Sequence, residues 1–585
     1  MKMKKLLFLA FSLIFCSNFS FTRSAKLDAK ELKAMKEIWG KLGLLGKKEW
    51  DFNKDLCSDE GNWGLTVVCD CSFETNNTCR VTEIVIASQN ISTAPPSEFT
   101  KLQYLQFLDL RHNYLRGTIP FEWATMRLRN ISLMGNRLSG LFPKALTRMT
   151  TLLYLNIEGN RFSGPIPKEI ANLKNLDMLD LSSNDFTGQL PAALAQLTNL
   201  TYLRICDNKF NGKIPNFISR WTRINILHVQ GCSFEGPLPS SISALTQLND
   251  LKISDLKGGA STFPSLQKML GLKRLVLRNC LINGTIPNYF RNMKNLNAID
   301  LSFNNLTGDI PSSFSEPEIV HIYLTKNNLT GPLPGWVVSS TKNLDVSYNY
   351  LTWDASGPKS CDQGQINNIH PCLRKDFPCT KSDGQKIYSL HINCGGREVN
   401  INNTMKYEAD IKKKTGASTY YNGGNWAFSS TGNFLDGYDS SNVLILSNTS
   451  ILNNIPTSHT ELYTTARTAA ISLTYYGLCL MNGNYTVRLH FSEIVFTQDH
   501  SFNSLGKRVF DVYVQGELKV KDFDIVKEAG GAGRAVIKSY RVDVKNNTLK
   551  IQLYWAGKGT TGIPVRGNYG PIISAISVDP MFHPI

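Results

Sequence analysis

At 585 residues the chain is too long for one compact domain and long enough for several cores. Its 42% hydrophobic and 10% aromatic residues exclude wholesale disorder. A formal net charge of +16 suits acidic polysaccharide or acidic peptides as partners through long-range attraction. It equally suits scattered solubilising lysines, since the longest basic run past the N-terminus is Lys412–Lys414.

The chain opens MKMKK and continues with the apolar stretch Leu6–Phe15. A basic segment followed by about ten apolar residues is the pattern of a secretory signal, too short to span a membrane. Residues 1–25 are therefore expected to be a signal peptide, and export argues against a nucleic-acid partner. No later apolar run of roughly eighteen residues occurs, so no membrane segment is expected in this chain, which reads as exported and released.

Residues 26–80 read as an N-terminal cap. From Asp28 to Trp50 the apolar positions Leu32, Met35, Ile38, Trp39 and Leu42 recur at helical spacing, predicting one amphipathic helix. Cys57, Cys69, Cys71 and Cys79 follow. In an exported chain such a cluster staples a cap with disulfides, and Cys57–Cys69 with Cys71–Cys79 is the favoured connectivity. Without a nearby histidine a zinc site is the lesser reading, and no metal is expected.

From 81 to 353 one motif repeats about every 24 residues, in about twelve coils. The clearest copy is LDMLDLSSNDFTGQLP, Leu176–Pro191. Leu179 and Leu181 alternate as on a short strand and point inward, while Asp180 points out. Asn184 enters the core at the strand's end, where its amide can satisfy backbone groups left open by a tight turn. Gly188 permits a close turn, and Pro191 ends the unit without needing a donor. One unit cannot bury its own apolar face, but a stack of them can, so a solenoid is predicted.

The asparagine column is Asn113, Asn136, Asn160, Asn184, Asn208, Asn304, Asn327 and Asn349, with Gln89, Cys232, Leu256 and Cys280 at the matching sites. Cys232 and Cys280 lie two coils apart, about 10 Å at strand spacing, too far to pair, so both are expected as free thiols. The unit around Leu256 lacks the closing G-x-φ-P and should interrupt the regularity.

Outward strand positions line the concave face, where solenoids bind partners. They include Tyr154, Tyr202, Arg204, His228, Lys252, Arg274 and Arg278. Arg204, His228 and Lys252 stack in one column, a seat for an acidic ligand group. Asp207, Asp250 and Asp255 lie beside them and can neutralise it, leaving a solvated face as the competing reading.

Residues 354–387 form a linker or C-cap bearing Cys361, Cys372 and Cys379. Beyond it, 388–580 turns to short alternating strands with Gly/Asn turns, predicting a β-sandwich. The glycines Gly530–Gly533 lack the motifs of a nucleotide loop and read as a β-turn.

The motifs HINCGG (His391–Gly396), YYGLCL (Tyr475–Leu480), LHFSEIVF (Leu489–Phe496), FNSLGKRVFDVYVQG (Phe502–Gly516) and GNYGPIISAISV (Gly567–Val578) resemble a malectin domain. With the cysteine-rich cap and the GxφP units, which match the plant-type leucine-rich repeat, the mature chain resembles the ectodomain of plant leucine-rich-repeat malectin receptor-like serine/threonine kinases. The fold implied is an α/β leucine-rich-repeat solenoid followed by an all-β malectin-like sandwich, with a second short sheet along the repeats. Cys394 and Cys479, the domain's only cysteines, are expected to pair.

By motif position Tyr407, Tyr475 and Tyr476 are the carbohydrate candidates, since aromatic faces suit sugar CH surfaces; packing within the sandwich is the alternative. The acid expected in the last loop is replaced by Asn568-Tyr569-Gly570-Pro571. No kinase HRD, DFG or APE triplet and no hydrolase motif occurs, so neither enzyme activity nor a cofactor is expected of this chain. Sequons at Asn76, Asn90, Asn130, Asn199, Asn283, Asn305, Asn328, Asn402, Asn448, Asn484 and Asn546 fit a glycosylated exported protein. The expectation is an extracellular recognition region that binds a peptide, protein or co-receptor on its concave face, with carbohydrate at the malectin domain. It is secreted, or stands at the plasma membrane if the chain is part of an anchored receptor kinase.

Overall fold

The computed structural model describes residues 26–46, 52, 56–57, 64–72, 78–316, 318–339, 343–352, 387–401, 405–411, 418–422, 425–432, 434, 445–448, 450, 457–496, 499, 501–564, 567 and 569–583. The expected signal peptide, Asn568, the sequons at Asn76 and Asn402, and nearly all of the cysteine-bearing linker lie outside them.

Near the N-terminus a helix spans Ala29–Lys41, its first turn capped by the Asp28 carboxylate, which accepts from the N–H groups of Lys30 and Glu31. Ala34, Met35, Ile38 and Trp39 face the core. The helix is shorter than its apolar spacing predicted, because Gly43 and Gly46 take left-handed conformations that turn the chain away. Cys57 bonds Cys69 and Cys71 bonds Cys79, the connectivity favoured from the sequence. The latter two pin the hairpin Leu65–Asp70 and Thr78–Ile86 that opens the solenoid's long sheet.

Among the described residues that sheet has 14 strands, all parallel after the opening hairpin. Successive coils pair in register, with Leu155 beside Leu179, Leu203 and Leu227, so identical repeat positions stack into columns. The asparagine column holds the coils together as the motif implied. Asn184 donates to the carbonyls of Ile157 at 2.9 Å, Leu181 at 3.1 Å and Ser182 at 3.1 Å, and accepts from the N–H of Phe162 at 3.0 Å. Cys232 and Cys280 are buried free thiols that keep part of this pattern, their Sγ atoms donating to Ile205 O and Ile253 O. Beneath the turns, Phe162, Phe186, Phe210 and Phe234 form a stacked spine with ring centroids 6.2–6.3 Å apart.

The GxφP segments add a second layer of short strands, split into two sheets. One runs from Arg116–Gly117 to Ser233–Glu235, the other from Ser261–Thr262 to Asn328–Leu329. The break falls at the Leu256 unit, which lacks the motif. There the Ser261 hydroxyl accepts from Leu238 N–H, and an isolated bridge between Glu235 and Lys257 links the neighbouring coils.

The second half stacks two six-stranded sheets. One is centred on Leu390–Cys394, Ala575–Pro580 and Gly483–Ser492; the other on Trp426–Thr431, Ser472–Leu478 and Thr548–Tyr554. Between them lies a core that includes Leu473, Val487, Leu489, Val512, Leu553 and Ile576. One expectation is corrected here. Cys394 and Cys479 do not pair: Cys394 is a buried free thiol on a core strand, while Cys479 is disulfide-bonded elsewhere. Gly530–Gly533 do form a turn, placed at the end of the short helix Ile525–Ala529, where Gly530 takes the left-handed cap position at φ 71° and donates to Val526 O.

Candidate functional site

The concave strands present two outward columns with opposite fates. In the column between the two leucines, Asp180, His228, Lys252, Val276, Asp300, Tyr323 and Asp345 are all buried. Neighbouring strands lie about 4.8 Å apart, so on a concave surface these side chains cover one another. The preceding column keeps its exposure: Phe107, Asn130, Tyr154, Met178, Tyr202 and Ile226 are half-buried and in register across consecutive coils. Arg274 and His321 continue it.

The cationic candidates are already engaged within the face. Arg204 lies 3.2 Å from Asp180 and 3.6 Å from Glu158. Arg274 pairs with Asp250 at 3.1 Å, and His228 Nε2 lies 3.2 Å from the same carboxylate. Burial pushes His228 down to about 4 against the pull of Asp250, so near neutral pH the imidazole is uncharged and Arg274 is the ionic partner. Lys252 is only 3% exposed. Arg278 is 2% exposed, sits between Asp255 and Asp300, and is covered by the Trp555 ring at 4.9 Å. The column of Arg204, His228 and Lys252 therefore exists as read, but an acidic ligand meets little of its charge. Tyr154, Tyr202 and Arg274 remain reachable.

Trp555 belongs to the sandwich, which packs along the solenoid rim at the residue preceding each core asparagine. His112 stacks on Phe502 at 4.2 Å, and Phe303 meets Tyr554 at 4.7 Å. The Tyr554 hydroxyl donates to Asp255 at 2.9 Å, and the hydroxyls of Tyr348 and Tyr476 are 2.6 Å apart. Burial raises the Asp207 carboxyl, against Lys507 and the Gly559 N–H. This corner position is left-handed in coil after coil, and glycine occupies it where the sandwich comes nearest: an added Cβ would lie 2.1 Å from Gly557 O at Gly231 and 2.1 Å from Ile563 Cδ1 at Gly159. Sequence reading missed this seam. Its one trace is the glycines at 135, 159 and 231, where other coils carry side chains.

The three malectin tyrosines lie away from open surface. Tyr475 is a core residue whose hydroxyl donates to Asp410, packed against Trp426 and Phe428. Tyr407 is hydrogen-bonded to Ser577. Tyr476 is sealed in the seam. All three are at most 3% exposed, leaving no ring face for a sugar.

Among the described residues no cluster of His, Cys, Asp and Glu could hold a metal, and no helix is long and apolar enough to cross a membrane.

A solenoid of leucine-rich repeats carrying a β-sandwich on its rim defines the class, and comparison with known proteins agrees. The family model of the malectin domain matches residues 388–576, and leucine-rich-repeat models match 104–126, 124–253 and 271–329. Two Arabidopsis thaliana proteins, named as probable LRR receptor-like serine/threonine-protein kinases, are 50% and 44% identical to this chain over 98% and 99% of its length. Over nearly its whole length the chain is therefore similar to leucine-rich-repeat receptor-like kinases, and it carries leucine-rich repeats and a malectin domain. It spans 59% and 58% of those two relatives' own length. The solved structure of the Arabidopsis receptor kinase HAESA, in complex with the peptide hormone IDA and the co-receptor SERK1, is 27% identical. It aligns with a TM-score of 0.49 over 55% of this chain and 54% of that one.

Proposed function

We propose that this chain is the extracellular ligand-recognition region of a plant cell-surface receptor, reached through the secretory pathway, and that its concave face takes an extended peptide. The observation that carries this reading is the half-buried strip Phe107, Asn130, Tyr154, Met178, Tyr202 and Ile226. Apart from the polar Asn130, it is a row of aromatic and aliphatic faces about one strand spacing apart, flanked by a column whose charges are largely spent on one another. Such a strip offers a peptide apolar area at low desolvation cost, with Arg204 and Arg274 nearby to orient a polar end. A co-receptor is the second partner in this reading, and carbohydrate bound at the malectin half is the third. In a longer protein resembling the two Arabidopsis relatives, ligand binding here would govern a serine/threonine kinase that transfers phosphate from ATP. The membrane anchor and the plasma-membrane location belong to that longer protein.

The test is selection of a displayed library of secreted plant peptides on the immobilised full chain. Enrichment of one peptide family that competes with itself in solution is the expected result. Enrichment no greater than on the chain carrying Tyr202→Glu and Ile226→Glu would overturn the reading.

A further inference from the structure

In four successive coils the residue after the core asparagine opens a strand of the second layer, and these residues are Arg137, Arg161, Asp185 and Lys209. In the coil before them the same position is Tyr114. Parallel stacking sets the five in one column, where each meets its neighbours. At one end Lys209 lies 2.7 Å from Asp185, so those two charges answer each other. At the other end the Arg137 guanidinium covers the Tyr114 ring at 4.1 Å, a stacking that fixes its plane.

The two arginines have no anion of their own. Among the described residues no carboxylate lies within 4.0 Å of Arg137 or Arg161. Burial pushes the Arg137 guanidinium down, and Arg161 beside it pushes the same way. Like charges held together at a half-buried place cost free energy, which an anion between them would relieve.

The sandwich closes a cleft of about 340 Å³ over this pair, with Ser504–Lys507 and Thr560 as its opposite wall. Thr560 holds the Lys507 backbone on both sides: Lys507 N–H donates to Thr560 Oγ1 at 2.9 Å, and Lys507 O accepts from Thr560 N–H at 2.9 Å. The Lys507 side chain, which is exposed, also has no carboxylate within 4.0 Å among the described residues. Two carboxylates line the cleft, and both are engaged. Asp185 pairs with Lys209, while buried Asp207 accepts from the Gly559 N–H and the Ser183 hydroxyl, with Lys507 and Lys558 acting on it from beyond ion-pair distance. No sequon asparagine lines the cleft.

Three cations from two walls suit a tetrahedral oxyanion, whose oxygens point outward on every side; a carboxylate presents only two, in one plane. We propose that this cleft binds a phosphate or sulfate group. Arg137 and Arg161 hold it from the solenoid and Lys507 from the sandwich, so the bound group also fastens the sandwich to the rim. The site shares no residue with the concave peptide strip and does not depend on it.

The experiment is calorimetric titration of the full chain, at fixed ionic strength in chloride, with inorganic phosphate, inorganic sulfate, phenyl phosphate, phenyl sulfate and acetate. Binding of the tetrahedral oxyanions but not of acetate is expected, weakened about tenfold by Arg161→Gln and about tenfold by Lys507→Gln. Both side chains are exposed, so each variant should melt with the wild type when no oxyanion is present. Lys213→Gln, at an exposed lysine outside the cleft, should leave binding unchanged. Phenyl esters bound as tightly as the free ions would support an ester on a larger molecule as the natural occupant, and binding of the free ions alone would support the ion itself. Oxyanion binding that neither cleft variant weakens would overturn the proposal by placing the site elsewhere. Acetate bound as tightly as phosphate, or no binding of any oxyanion, would overturn it outright.

Discussion

The solenoid and the sandwich bury polar groups by opposite means. In the solenoid one device is copied down the stack: an asparagine donates to carbonyls of its own and the preceding coil, as Asn160 does to Leu133 O at 2.8 Å and Ile157 O at 3.1 Å. In the sandwich the devices are single buried ion pairs, Arg467 with Asp410 and Arg508 with Glu493. Arg467 and Asp410 form a fully buried pair, closed by the Tyr475 hydroxyl on Asp410 at 2.5 Å and by the Phe428 ring over the guanidinium at 4.1 Å. A repeated device tolerates a local fault, since Cys232, Leu256 and Cys280 replace asparagine without ending the stack. A buried ion pair has no copies stacked beside it to share the loss.

That contrast breaks most sharply at the buried pair. Asp410→Ala strands the Arg467 charge and should cost about 3–5 kcal/mol. In chemical denaturation the sandwich should unfold at clearly lower denaturant while the solenoid's transition stays put. Asn184→Ala removes a single copy of the solenoid's device and should cost about 1–3 kcal/mol, because several backbone groups lose their partner at once. The same denaturation curve checks it, and a larger loss than at Asp410 would invert the comparison.

Where the two halves meet, Gly231→Ala imposes a left-handed alanine, worth about 1–2 kcal/mol, on top of the clash with Gly557 O. The expected signature is separation of two melting transitions by calorimetry, since the seam loosens while each core remains intact.

A further effect is on pH. Burial holds His112, at the seam, and His228, on the concave face, each down to about 4. Both pKa values lie below that of the unfolded chain, so the unfolded state binds protons first as pH falls from about 6.5. Stability should therefore decline between pH 6.5 and 4 and gain no further loss from these two groups below that. His112→Phe keeps a ring against Phe502 and should flatten part of the slope in thermal melts.

Legibility follows the same division. The coils, their strands and the asparagine column could be read because each local pattern recurs, and parallel stacking turns sequence period directly into contact. In the cap the cysteine cluster marked disulfides but left three connectivities open, and the favoured one is the one observed. Nothing comparable marks Arg467, Asp410 and Tyr475, which lie 57 and 65 residues apart in pairs and meet only when two sheets close. Tyr407, Tyr475 and Tyr476 carry the right chemistry for a sugar, but their strands turn them into the core or the seam. On the concave face the outward positions were identified correctly as positions. Their accessibility was not readable, because mutual cover between stacked side chains and the arrival of Trp555 over Arg278 are properties of the assembled fold.

The central claim is that ligand recognition lies on the half-buried concave strip rather than on the more deeply buried charged column beside it. The direct measurement is the affinity of a peptide selected on the full chain, compared between the wild type, Tyr202→Ala and Lys252→Met. The account predicts at least about a tenfold loss for Tyr202→Ala, an interface aromatic at the strip's centre, and little change for Lys252→Met once melting is matched. Equal affinity for Tyr202→Ala and a large loss for Lys252→Met would contradict it.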